Sequence, residues 1–177
     1  DINKAIHFFT LSANQNNSDA QYNLGTIFLN GVYVKQDINK AIHFLTLSAN
    51  QNNSDAQNNL GSIYGKGICV EVDINKAIHF YSLAANQNNS YAQFNLGMIY
   101  YEGIYVERDI NKAIHFYTLS ANHNNQYAQN NLGSIYIKGI YVEVDINKAI
   151  HFYTLAANQN NPDAQLNLGS IYYEGKY

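Results

Sequence analysis

Apolar residues recur along this chain at the spacing of a helix face, and the whole pattern of apolar and polar positions repeats every 36 residues. The run DINKAIHF begins at Asp1, Asp37, Asp73, Asp109 and Asp145, and NLG follows at Asn23, Asn59, Asn95, Asn131 and Asn167. Counted from its aspartate, each repeat predicts two helices, over about positions 2 to 14 and 18 to 30. Successive residues stand about 100° apart around a helix axis. In the first helix this puts Ile2, Ala5, Ile6, the residue at position 9 and Ala13 on a buried stripe, with Phe8 on its flank and Asn3, His7, Thr10 and Asn14 opposite. One helix pair buries too little apolar surface to stay folded, so a period in this range implies stacked neighbours. The expected fold is all-α, a solenoid of helix pairs forming one array over residues 1–177, with the repeat from Asp145 truncated.

Local signals set the helix ends. The aspartates before Ile2, Ile38, Ile74, Ile110 and Ile146 suit an N-cap, since a carboxylate accepts the orphan amides of the first turn. The NQNN and NHNN runs end the first helix, because asparagine tolerates the left-handed conformation. Pro162 fits the first position of the second helix with Asn161 as cap. Ser18, Ser54 and Ser90 stand in the proline's place and offer an S-x-x-Q capping box with Gln21, Gln57 and Gln93, a phasing one residue later. Glycine within a helix costs about 1 kcal/mol against alanine. Gly25, Gly61, Gly97, Gly133 and Gly169 therefore predict the close passage of another helix backbone, and Gly31 and its equivalents read as C-caps.

The second helix separates packing from display. Ala20, Leu24, Ile27, Phe28 and Gly31 hardly change between repeats, whereas positions 22, 26, 29 and 33 vary most. Repeat by repeat the variable stripe is Tyr22, Thr26, Leu29, Tyr33; Asn58, Ser62, Gly65, Cys69; Phe94, Met98, Tyr101, Tyr105; Asn130, Ser134, Ile137, Tyr141; and Leu166, Ser170, Tyr173, Tyr177. It is the candidate partner-binding face, centred on Phe94, Met98, Tyr101 and Tyr105. Position 22 is apolar or aromatic in the odd repeats and asparagine in the even ones, and position 30 is lysine only in the even ones. Two explanations stand side by side: alternating contacts for a bound chain, or duplication of repeat pairs without a binding role. The rings at position 33 have a second reading as well, packing into the neighbouring loop.

Candidate chemistry changes little. The ladder His7, His43, His79, His115 and His151 invites a metal, but equivalent helices about 10 Å apart cannot bring nitrogens to one ion at about 2.0 Å. A solvated outer face is expected, and His123 reads as a surface substitution of glutamine in its turn. The single cysteine, Cys69, closes no internal disulfide, and no phosphate loop, HExxH helix or GxSxG elbow occurs. No cofactor, metal site or enzyme activity is expected. Lys+Arg number 10 against Asp+Glu 13, a formal net charge of -3, which leaves no basic stripe for nucleic acid. No apolar run reaches the roughly 18 to 20 residues that span a bilayer.

The pattern A-x-x-N-L-G-x-I-Y-x-x-G, an aspartate, then N-K-A-I-H-F-Y-x-L-A-A-N-Q, resembles the Sel1-like repeat, a relative of the tetratricopeptide repeat. Ala92, Leu96, Gly97, Tyr100, Gly103, Lys112, Ala113, Phe116 and Tyr117 carry it in the central repeat. The resemblance implies antiparallel helix pairs in a right-handed α-α superhelix, the second helices lining the concave side, and an adaptor role in protein complexes. The chain departs from the family where glycine is common: at Tyr33, Cys69, Tyr105, Tyr141 and Tyr177, and at Asn16, Asn52, Asn88, Asn124 and Asn160. The paired cysteines of the family's secreted branch are missing.

The expected function is a protein- or peptide-binding scaffold, with contacts at Tyr22, Leu29, Tyr33, Asn58, Phe94, Met98, Tyr101, Tyr105, Asn130, Ile137, Tyr141, Leu166 and Tyr173. The alternative is a structural spacer within a larger protein. The chain opens on a first helix, closes on a second, and carries no terminal cap, which predicts a segment of a longer protein and self-association through its uncapped ends. A reducing cytoplasm is the expected location, against the sequons at Asn16, Asn52 and Asn88.

Overall fold

The computed structural model describes residues 1–175, and Tyr177 of the variable stripe lies outside them. Ten helices and no strand occur among the described residues: α1 (Ile2–Asn14), α2 (Ser18–Asn30), α3 (Ile38–Ala49), α4 (Ser54–Lys66), α5 (Ile74–Ala85), α6 (Ser90–Glu102), α7 (Ile110–Asn122), α8 (Gln126–Lys138), α9 (Ile146–Ala157) and α10 (Pro162–Tyr173). They form two compact bodies, residues 1–92 and residues from 93 onward, with the boundary inside α6. In each body adjacent helices pair through short turns.

Aspartate begins the odd-numbered helices as expected. The Lys40, Lys76, Lys112 and Lys148 backbone N–H groups donate to Asp37, Asp73, Asp109 and Asp145 Oδ1 at 2.9–3.0 Å. Each of these lysines also reaches its aspartate at 3.1–3.5 Å. The Lys76 backbone N–H, then the Lys76 ammonium, hold the Asp73 carboxyl below its usual range.

The serine capping box does not form. Asn17, Asn53, Asn125 and Asn161 cap the second helices, their Oδ1 atoms accepting from Ala20, Ala56, Ala128 and Ala164 at 2.9–3.1 Å. The helix thus starts one residue earlier than that box requires, and the glutamine falls at the fourth helical position, too far along to reach back to the cap. It turns inward instead. Buried Gln57 and Gln129 donate to the Ala49 and Ala121 carbonyls at 3.1 and 3.2 Å, tying each second helix to the end of the first. Gln51, Gln87 and Gln159 then donate to Gln21, Gln57 and Gln129 Oε1 at 2.7–2.8 Å, making rungs between neighbouring repeats. His123, exposed in its turn, occupies the corresponding place after Gln93.

The asparagines at the family's glycine position, from Asn16 to Asn160, all adopt left-handed φ of 61–64°. At the family's second glycine position the repeats divide. Cys69 and Tyr141 are left-handed, with φ of 54° and 55°, whereas Tyr33 and Tyr105 are not. The even repeats close α4 and α8 with an extra bond, the Ile68 and Ile140 N–H groups donating to the Ile63 and Ile135 carbonyls at 3.0 and 3.2 Å. The odd–even alternation is therefore present in the backbone as two loop conformations.

Candidate partner-binding face

The variable stripe is built around one buried side chain. Position 9 of each following repeat, Leu45, Tyr81, Tyr117 or Tyr153, projects onto the second helix of the preceding repeat and is buried there. This explains the helical glycines. A Cβ on Gly61, Gly97 or Gly133 would stand 2.5–2.6 Å from the ring of Tyr81, Tyr117 or Tyr153, and one on Gly25 would stand 2.7 Å from Leu45 Cγ. The expectation of a crossing backbone is corrected at Gly61, Gly97 and Gly133, where the missing side chain makes room for a tyrosine ring; at Gly25 the Leu45 backbone nitrogen also lies 3.2 Å from the added Cβ.

Positions 22, 26 and 29 wall that cradle. Tyr22 and Leu29 pack against the cluster of Leu45. Burial raises the Tyr22 phenol, the charge of Asp55 adds to the rise, and Asn59 opposes it. Around Tyr81 the wall is small and polar. Gly65 stands there, and the Tyr81 hydroxyl donates to Ser62 Oγ at 3.1 Å; Asn58, at the position of Phe94 in this repeat, is half-buried. The Ser134 and Tyr153 hydroxyls lie at the same 3.1 Å. Ile137 packs against the Tyr153 cluster, and Asn130 Oδ1 accepts from Asn167 Nδ2 at 3.3 Å.

Around Tyr117 the wall is apolar. Phe94, Met98 and Tyr101 pack on it, with the Phe94 and Tyr101 centroids 5.8 and 6.3 Å from the Tyr117 ring. The Phe94 ring also lies 5.9 Å from that of Tyr127, a contact outside the expected stripe. The buried Tyr117 hydroxyl has no hydrogen-bond partner. Burial pushes its phenol far above the ordinary value, and the charges of Glu102 and Tyr101 add to the rise. Asn131 opposes the shift without reaching hydrogen-bond geometry.

The rest of the stripe is open. Leu166 and Tyr173 of α10 are 70% and 93% exposed. Tyr33, Tyr105 and Tyr141 are 73%, 61% and 75% exposed, so the rings at position 33 do not bury themselves in a neighbouring loop. The five ladder histidines are exposed, each of His43, His79, His115 and His151 lying edge-on to its neighbouring phenylalanine. No metal-binding group of three occurs among the described residues.

One residue outside the helical pattern joins this face. Arg108, the only arginine in the chain, stands in the loop before α7, with its guanidinium carbon 5.3 Å from the Tyr101 ring and 5.5 Å from that of Tyr141. A cavity of about 460 Å³ opens beside it, lined by Glu107, Arg108, Asp109, Ile110, Asn111, Lys112 and Tyr141. The break in the repeat was visible as Gln36, Val72, Arg108 and Val144.

Comparison with known proteins places the chain in a family. The Sel1 repeat model matches residues 1–17, 18–53, 54–89, 90–125, 126–161 and 162–177, and the chain belongs to the Sel1 repeat family. Its frame runs from second helix to first, half a repeat out of phase with the aspartates. A Sel1 repeat protein from Oxalobacter formigenes is 34% identical with a TM-score of 0.92, over 99% of this chain and 71% of that one. A protective antigen of uropathogenic Escherichia coli with an SLR fold is 32% identical with a TM-score of 0.93, over 99% of this chain and 38% of that one. Helicobacter pylori cysteine rich protein B is 25% identical with a TM-score of 0.58, over 76% of this chain and 96% of that one. No curated protein sequence matches. The structural neighbours share the α-α solenoid fold, and proteins of this family are in general protein-interaction scaffolds. No helix among the described residues is long and apolar enough to cross a membrane.

Proposed function

We propose that this array is a protein- or peptide-binding scaffold that holds its partner along the second-helix face of the body from residue 93 onward. The observation that carries the reading is the conjunction of Phe94, Met98 and Tyr101, half-buried around Tyr117, with the exposed ring of Tyr141 across Arg108 from Tyr101 and the exposed ring of Tyr105 in the loop that follows α6. Phe94 and Met98 act mainly as the floor, and Tyr101, Tyr105 and Tyr141 meet the partner with a flat apolar ring and a hydroxyl. The equivalent residues Tyr22, Leu29, Tyr33 and Asn58 give the body of residues 1–92 a more polar version of the same face, and Asn130, Ile137, Leu166 and Tyr173 extend the face from residue 93 onward. A reducing compartment suits the exposed, unpaired Cys69.

Peptides selected on the array from a random pool test this directly. Tyr105→Ser and Tyr141→Ser should each weaken binding by about 1 kcal/mol or more while leaving unfolding unchanged. His79→Ala and Thr118→Ala, on the outer face, should change neither. Loss of binding in the outer pair with the tyrosine variants unaffected would move the site to the opposite surface.

A further inference from the structure

We infer that Arg108 is the specificity residue of this face, taking a side-chain carboxylate of an acidic residue in the bound segment. The inference rests on the scaffold reading and names the chemistry of its partner. Arg108 is exposed, and among the described residues it has no ion pair or hydrogen bond, while the nearby Lys112 ammonium is already paired with Asp109 at 3.4 Å. Its guanidinium lies over the Tyr101 and Tyr141 rings, which steady it by cation–π attraction and leave its N–H donors unspent. A guanidinium held in place is suited to two parallel hydrogen bonds with a carboxylate.

The other body contains its own control. A cavity of about 540 Å³ at the start of α5 has Glu71, Val72, Asp73 and Lys76 in its lining, the same loop position with valine in place of arginine. Its aspartate and lysine pair in the same way, at 3.1 Å. Arg108 is thus the only new charge at its site. Single positive charge, with Glu107 and Asp109 on either side in sequence, favours a carboxylate over a doubly charged phosphate.

Random-peptide selection is run in parallel on the intact chain and on its Arg108→Gln variant, and enriched peptides are resynthesised with Glu, Gln or phosphoserine at the acidic position. The expected result is enrichment of Asp or Glu beside apolar residues on the natural chain only. Replacing that Glu by Gln should weaken binding about tenfold, and Arg108→Gln should remove the difference between the two peptides. Val72→Gln should leave it intact. Peptides that bind equally well with Glu or Gln overturn the inference and leave the scaffold reading standing. Phosphoserine binding more than tenfold tighter than Glu overturns the choice of carboxylate. If no peptide is enriched on the natural chain, both readings fall.

Discussion

Tyr81 and Tyr117 occupy the same place in successive repeats, and each is buried against a helical glycine, but their surroundings are opposite. Tyr81 lies beside Gly65 and Ser62 and donates a hydrogen bond to the serine. Tyr117 lies among Phe94, Met98 and Tyr101, and its hydroxyl is left without a partner. An unsatisfied buried hydroxyl costs about 1–3 kcal/mol. The comparison teaches that the variable stripe has two duties at once, walling the cradle of the next repeat and presenting an outer surface. Where the wall is polar the cradle is satisfied; where it is apolar, surface is gained at the expense of the cradle. In the odd repeats position 22 packs against position 9 of the next repeat, Tyr22 on the Leu45 cluster and Phe94 on that of Tyr117, whereas in an even repeat Asn130 bonds Asn167 instead.

The comparison breaks most violently at the glycines. Gly97→Leu would force a side chain into the Tyr117 ring and is expected to lower stability by about 1–3 kcal/mol or more in urea unfolding. Gly169, with nothing within 4 Å of an added Cβ, should accept alanine with no loss and a gain of up to about 1 kcal/mol. Similar losses at the two sites would show that the cradle is not what excludes a side chain.

A smaller effect separates the cradles in alkali. Burial raises the phenols of Tyr81, Tyr117 and Tyr153 above their ordinary value of 10.0. The fold therefore holds these protons more tightly than the unfolded chain does. Their contribution is complete below about pH 10 and falls as pH rises past that value toward the folded ones. Unfolding followed with phenolate absorbance should show falling stability there, with Tyr117 the last to ionise in the folded chain. Ionisation of Tyr117 before Tyr81 would reverse the assignment of the more apolar wall.

The smallest effect belongs to the outer face. His79→Ala, in the exposed ladder, should change stability by no more than about 0.5 kcal/mol. A larger loss would mean that the edge contact with Phe80, at 5.3 Å, contributes to packing.

Much of this was legible in the sequence. Aspartate caps, the buried alanine–leucine stripe and the outward histidines follow from local propensity and helical period, and they stand in the structure where those rules put them. The rest depends on neighbours. Whether asparagine or serine caps α2 was decided by a one-residue shift, and that shift sends Gln21 inward to bond Ala13 rather than back to its own helix. The partners of Gly25, Gly61, Gly97 and Gly133 lie 20 residues ahead, as with Gly97 and Tyr117, and periodicity within a single repeat cannot reveal them. Arg108 was missed because it sits in a loop, outside any helical stripe, and gains its meaning only when the Tyr101 and Tyr141 rings are brought beside it.

The most direct test removes one oxygen from each cradle. Equilibrium unfolding in urea of Tyr81→Phe and Tyr117→Phe compares the same substitution in the polar and the apolar wall. Tyr81→Phe should lose about 1 kcal/mol, the worth of its bond to Ser62. Tyr117→Phe should be unchanged or more stable by up to about 1 kcal/mol, since it relieves a buried hydroxyl that has no partner. Equal losses in the two variants would contradict the division of the face into satisfied and sacrificed cradles.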